Sequence, residues 1–290
     1  MKKSIFMSAF ALILTLALAA CSYGGIDISI NSQIISGSGT VTTTTRTPAD
    51  FDTVKLSGIG NLTIRQGESN SLTIQADDNL LPYITSEVDA GTLEIGTKTN
   101  INLKPSQTIE YTLTVKSLAG IVLSGFGNVS ADELAGKSID LTVSGSGDIK
   151  VTQVTGDAMS AHLTGLGNIS VEDAKVSHAE LVVTGSGNLK IAQLKADVLN
   201  TTISGLGTAV VSGTATDQVV KLTGSGSYQG GDLAGSTGSV TISGLGDATL
   251  WISDSLTLSL TGSGNVKYYG NPRVSQSVTG LGSVKSLGNH

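Results

Sequence analysis

Ile139-Asp140-Leu141-Thr142-Val143-Ser144-Gly145-Ser146-Gly147-Asp148-Ile149-Lys150-Val151 is the stretch on which the fold turns. Apolar residues alternate with polar ones on both sides of a Gly-x-Gly, the period of a strand with one buried face. The pattern returns at Gly125-Phe126-Gly127, Gly165-Leu166-Gly167, Gly185-Ser186-Gly187 and Gly205-Leu206-Gly207, in register with it at 20-residue steps. It continues at Gly224, Gly244, Gly262 and Gly280, with steps of 19, 20, 18 and 18. Gly37-Ser38-Gly39 and Gly58-Ile59-Gly60 read as earlier copies, making eleven. A unit of this length cannot bury its own apolar face, whereas stacked units pair each strand in parallel with neighbours above and below. The expected fold is all-β, a parallel β-helix or solenoid, right-handed by the crossover rule, with helix a minor component.

Glycine inside a strand pattern loses conformational entropy, so a repeated pair implies a bend, a bulge or a backbone approach too close for a Cβ. Gly125, Gly127, Gly145, Gly147, Gly165, Gly167, Gly185, Gly187, Gly205 and Gly207 are accordingly read as structural residues at a corner of the coil. The middle residue alternates between large and small: Phe126, Ser146, Leu166, Ser186, Leu206, Ser225, Leu245, Ser263, Leu281. Two coils satisfy that alternation. One has about 20 residues, with large side chains filling space over small ones; the other has about 40 and holds two units. The shorter is the working expectation, and its eight steps from Gly125 to Gly280 would make a rod about 40 Å long.

After each pair comes a short polar residue, including Asn61, Asn128, Asp148, Asn168, Asn188, Asp247 and Asn265. Such side chains bond local backbone amides. A calcium ladder would need carboxylates in successive turns, and only Asp148 and Asp247 supply them. The reading is a structural polar ladder, with no metal and no cofactor. The Gly-x-Gly motifs also lack the following helix and Lys-Ser/Thr of a phosphate loop.

The start of the chain carries a different signal. Lys2 and Lys3 precede an apolar run from Ile5 to Ala20, short for a membrane-spanning helix and shaped like a signal peptide. It ends in Leu18-Ala19-Ala20-Cys21, which resembles the bacterial lipobox, and Cys21 is the single cysteine among 290 residues. The expectation is cleavage after residue 20 and diacylation of Cys21, a lipid anchor in the membrane rather than a span across it. Ser22, by resemblance to enterobacterial lipoprotein sorting, implies the outer membrane. Losing Lys2 and Lys3 takes the basic residues from 17 to 15 against 23 acids, a formal charge of −8. That balance excludes nucleic acid as a partner and makes docking on anionic lipid by charge alone unfavourable. The resulting division is 1–20 signal peptide, 21–35 lipidated N-terminus and linker, and 36–290 solenoid, with 58–124 irregular or capping coils and 125–283 regular repeats.

The irregular part contains Asp77-Asp78-Asn79-Leu80-Leu81-Pro82-Tyr83, where a short helical turn over 79–84 is possible. The order Gly37-Ser38-Gly39-Thr40, Arg46, Phe51, Val54, Gly58, Ile64, Gly67, then Asp77-Asp78-Asn79-Leu80 and Leu93, followed by many Gly-x-Gly units, resembles the DUF2807 family, also called the head GIN domain of autotransporter adhesins. The resemblance covers roughly residues 35–288. It implies a β-helical fold and an envelope location, often on lipoproteins, and supplies no catalytic residues. Leu or Phe in every second Gly-x-Gly departs from the Ser commoner in that family.

Right-handed β-helices also house polysaccharide lyases and hydrolases, so a carbohydrate-active enzyme is the alternative. A groove lined by at least three converging Asp, Glu, Arg or Lys side chains would overturn the non-catalytic reading. The residues do not themselves assemble such a site. His162 and His178 lack ligand spacing, and Asp132-Glu133, Glu172-Asp173 and Asp77-Asp78 are neighbours that point to opposite faces of a strand. They read as solvated turn charges. The favoured reading is non-catalytic: an adhesin-like or scaffolding surface for a surface glycan or an envelope protein. Trp251, Tyr228, Tyr268 and Tyr269 are the candidate contacts, and at most one of the adjacent pair Tyr268 and Tyr269 belongs to the core.

Overall fold

The computed structural model describes residues 32–290; the signal peptide, Cys21 and most of the linker lie outside the described residues. Residues 34–290 form one compact unit, a nearly all-β solenoid of about 8 turns. Its buried core runs from Val54 to Val266 and is drawn wholly from this unit. Among the described residues, every buried core side chain belongs to this unit.

Register decides the coil length. Val129 pairs in parallel with Ile149, Ile149 with Ile169, Ile169 with Leu189 and Leu189 with Ala209. Each partner is one Gly-x-Gly step away, so one unit is one coil of about 20 residues. The shorter steps follow the same rule, with Ala209 over Tyr228, Tyr228 over Ala248 and Ala248 over Val266. In a representative coil, Ile149, Val151, Val154, Met159, Ala161 and Leu163 point inward and are all buried. Like residues therefore stack on like in columns along the axis, which is why the period-two pattern can repeat without change.

From Gly145 onward the strands stop on either side of the Gly-x-Gly, as between Phe126–Val143 and Ile149–Leu163, so the motif stands at a corner; at Gly58 and Gly125 the next strand already begins at the middle residue. Of the three explanations for paired glycine, close approach is the operative one. A Cβ on Gly165 would lie 2.0 Å from the carbonyl oxygen of Gly145, and one on Gly167 would lie 1.8 Å from that of Gly147. Leu166 donates its amide to the same Gly145 oxygen at 3.1 Å. Corner thus rests directly on corner, and this backbone contact fills the space a side chain would need.

The middle residues correct one expectation. Phe126, Leu166, Leu206, Leu245 and Leu281 do not fill space inside; they are 65–90% exposed. The polar ladder is also longer in reach than local. Asn168 donates its amide at 3.0 Å to Asp148 Oδ1, and Asn188 donates its own at 2.9 Å to Asn168 Oδ1, one coil away in each case. The ladder ties coils together, and Asp148 Oδ1 accepts from both the backbone amide and the side-chain amide of Asn168.

Residues 53–131 break the simple order. Thr53–Leu56 and Ile59–Gln66 make a coil that stacks on Gly120–Leu123 and Phe126–Val143 on one side. On the other side it meets Thr92–Thr97 and Glu110–Val115. Gly58-Ile59-Gly60 is therefore a member of the stack, although 67 residues separate Ile59 from its partner Phe126. The intervening chain supplies antiparallel strands, Ser71–Asp77 against Val41–Arg46 and Ile84–Asp89 against Thr92–Thr97. A 3₁₀ turn at Leu81–Tyr83, led by Pro82, stands where the helical turn was expected.

Gly37-Ser38-Gly39 is not a corner of the stack. It is clamped by Asp77-Asp78-Asn79: Gly39 donates its amide to Asp77 Oδ1 at 2.8 Å, Ser38 donates its amide to Asn79 Oδ1 at 2.9 Å, and Asn79 Nδ2 donates to Ser36 O at 2.8 Å. Asp77 is not a solvated turn charge either, being 1% exposed. Ser106 donates to it twice, from its hydroxyl at 2.6 Å and its amide at 2.9 Å. These hydrogen bonds hold the carboxyl below its ordinary 3.8 despite the opposing effect of burial. Because the folded-state value is depressed, the stabilisation is complete above about 3.8 and is lost as pH falls through the lower folded value. Asp77→Asn turns one acceptor towards a donor, so it is expected to lower the melting temperature at neutral pH and to flatten the acid limb of the stability curve. Thermal unfolding across an acid series reads both effects.

Candidate functional site

The candidate surface is a shallow lateral groove on the turn opposite the glycine corner. Its middle is a depression of about 470 Å³ bordered by Lys175, Lys195, Asp197, Thr214 and Thr216. A second depression of about 300 Å³ continues from Thr214 and Thr216 to Ser236, Ser253 and Trp251. From Lys175 to Trp251 the groove crosses four coil steps, about 19 Å at the spacing of hydrogen-bonded strands.

Local sequence explains why the groove opens here. The parallel register shifts between Val210 and Gly213 and again between Gly230 and Ala234, where the unit length changes. Gly213 adopts φ of +115°, and a Cβ there would lie 2.2 Å from Leu194 O. Small residues line the turn, and Trp251 stacks over Ala234. A bulky indole thus sits partly buried on a shelf left by a methyl group.

The aromatic candidates separate. Tyr228 is 1% exposed and belongs to the core, which removes it as a surface contact. Its hydroxyl donates to Gln218 Oε1 at 3.3 Å, Gln218 Nε2 donates to Leu233 O at 2.9 Å, and burial pushes its pKa upward. Glycine at 230 leaves room for the ring, since a Cβ would come within 2.6 Å of it. Tyr268 packs against the core. Tyr269 faces outward beside Trp251, its register partner. His290 stacks on Trp251 with ring centroids 4.2 Å apart and an interplanar angle of 9°, meets Tyr269 edge-on at 4.9 Å, and lies 3.2 Å from Asp232 Oδ1. His290 therefore covers one face of the Trp251 ring.

Sequence reasoning found this aromatic end and missed the rest of the groove. Lys175, Lys195, Thr214 and Thr216 look like ordinary outward residues until stacking sets them in line, with Lys175 directly opposite Lys195. The charged side chains at the groove do meet the bare count set for an enzyme, with Lys175, Lys195 and Asp197 on its border. Lys175 is paired at 2.9 Å with Asp173, and its side chain is 52% exposed. Among the described residues no three His, Cys, Asp or Glu side chains gather as a metal site. No described helix is long and apolar enough to cross a membrane.

The fold and this surface define a class, the β-solenoids that present an extended lateral face. The chain belongs to the DUF2807 family, described as "Putative auto-transporter adhesin, head GIN domain", whose profile matches residues 50–205 and 162–272. A crystal structure of a "putative adhesin" from Parabacteroides distasonis superposes with a TM-score of 0.69 at 24% identity, over 88% of this chain and 100% of that one. A second "putative adhesin", from Parabacteroides merdae, gives 0.65 at 24% identity over 88% and 99%. A "Putative lipid binding protein" from Parabacteroides distasonis gives 0.62 at 22% identity over 88% and 100%. At these identities the likeness is one of fold. No curated protein matches the chain.

Proposed function

We propose that this is a lipid-anchored protein of the cell envelope, held in the outer membrane through Cys21, whose solenoid is a non-catalytic adhesin-like or scaffolding surface. The lateral groove carries this reading. It joins two cationic side chains, a row of hydroxyls and an aromatic shelf in one line about 19 Å long, a length suited to several residues of an extended glycan. The adhesin description of the family and of two structural neighbours supports it.

Two measurements test the reading. Protease digestion of the full-length protein on intact cells, with permeabilised cells as control, tells which side of the outer membrane the solenoid occupies; protection until permeabilisation would end the adhesin reading and leave a periplasmic scaffold. Purified 32–290 is then titrated with anionic and neutral oligosaccharides. Trp251→Ala is expected to weaken binding about tenfold, the loss of one aromatic anchor. Chain cleavage of an oligosaccharide would overturn the non-catalytic reading in favour of a carbohydrate-active enzyme.

A further inference from the structure

The glycine corner presents a second surface, unrelated to the groove. Phe126, Leu166, Leu206, Leu245 and Leu281 project from it, exposed by 72, 70, 69, 65 and 90%. Ser146, Ser186, Ser225 and Ser263 occupy the coils between, all exposed. Glycine-on-glycine contact stacks these residues one coil above the next in a single file. Apolar teeth therefore recur every second coil, about 9.6 Å apart, with a serine gap midway.

We propose that this corner is a self-association ridge, on which two copies of the chain pack antiparallel with the teeth of each seated over the serines of the other. The geometry is self-complementary. A file with teeth about 9.6 Å apart, displaced by one coil against an identical file, sets alternating teeth about 4.8 Å apart, close enough for aliphatic side chains to touch. A two-fold axis perpendicular to the rods produces this displacement and closes the assembly at two copies. A parallel two-fold pair would set tooth against tooth. Lipid is the less fitting occupant, since a bilayer imposes no such period and gains nothing from the serines.

Charge also permits the contact. The residues flanking the glycines are Ser, Thr or Asn in every coil from 124 to 283 except at Asp148 and Asp247. Two antiparallel registers seat four teeth in four gaps. One sets Asp148 against Asp247, whereas the other sets Leu206 over Ser225, Leu245 over Ser186 and the two acids against Ser283 and Asn188. The second avoids like-charge opposition and is the register assigned. A strip about 40 Å long buries on the order of 600 Å² per partner, at the lower edge of specific interfaces, so the dimer is expected to dissociate in the micromolar range.

Sedimentation velocity of purified 32–290 over a concentration series tests the proposal. The wild-type chain is expected to pass from monomer to dimer and no further. Leu166→Ser, Leu206→Ser and Leu245→Ser together remove three teeth and are expected to weaken dimerisation by at least a hundredfold. Ser186→Leu with Ser225→Leu fills the gaps, and it too is expected to abolish the dimer although it adds apolar surface. Both variants alter only outward side chains, and unchanged thermal unfolding confirms their fold. A wild-type chain that stays monomeric, or a gap-filled variant that associates as well or better, overturns the interlock. Flotation of 32–290 with phospholipid vesicles that depends on the teeth would overturn it in favour of a membrane-facing edge.

Discussion

Gly167→Ala is expected to destabilise the solenoid by about 3 kcal/mol or more, measured by urea unfolding of 32–290. The added Cβ would sit 1.8 Å from the Gly147 carbonyl oxygen and 2.7 Å from its carbon, both backbone atoms of the neighbouring coil. No rotamer change relieves such a contact. Relief requires parting two coils at the corner, which breaks the Leu166 to Gly145 bond and its neighbours along the stack. Valine at 165 or 167 should be worse still. Gly136→Ala provides the contrast: its nearest neighbour is the end of the Ile139 side chain at 3.3 Å, which can move, so a change of a few tenths of a kcal/mol is expected. Equal effects at 136 and 167 would refute the backbone-contact explanation of the paired glycines.

Cys21→Ser is expected to move the full-length protein from the membrane fraction to the soluble fraction and to abolish incorporation of labelled palmitate. The proposed anchor is strong because each buried methylene contributes roughly 0.8 kcal/mol and two acyl chains suffice for stable attachment. The formal charge of −8 left after cleavage offers no electrostatic substitute at an anionic surface. Retention of the Cys21→Ser protein on membranes would show that another surface, the Phe126 to Leu281 ridge first among them, makes the attachment.

The solenoid was legible because its information is local and repeated. Alternation around Gly145-Ser146-Gly147 defines an inward face, and recurrence at about 20 residues makes stacking the way to bury it. The alternating middle residue was visible too, but its direction was not. A leucine reads as core by default, and only the corner geometry turns Leu166 and Leu206 outward. Gly37-Ser38-Gly39 shows the opposite failure, a motif identical in letters to the repeat that does another job because Asp77 lies beside it. Nothing in the spacing brings residues 37, 77 and 106 together.

Periodicity in the residues defines the stacked strands, the inward columns and the steric need for glycine at the corners, since all three recur in every unit. Only the stacked fold chooses between the two coil lengths, puts Tyr228 in the core, leaves Trp251 partly buried beneath His290, and aligns Lys175, Lys195 and Thr214 into one groove. Those outcomes depend on what the neighbouring coil presents at the same height. That is a relation between residues about 20 apart, and side-chain chemistry along a single strand does not contain it.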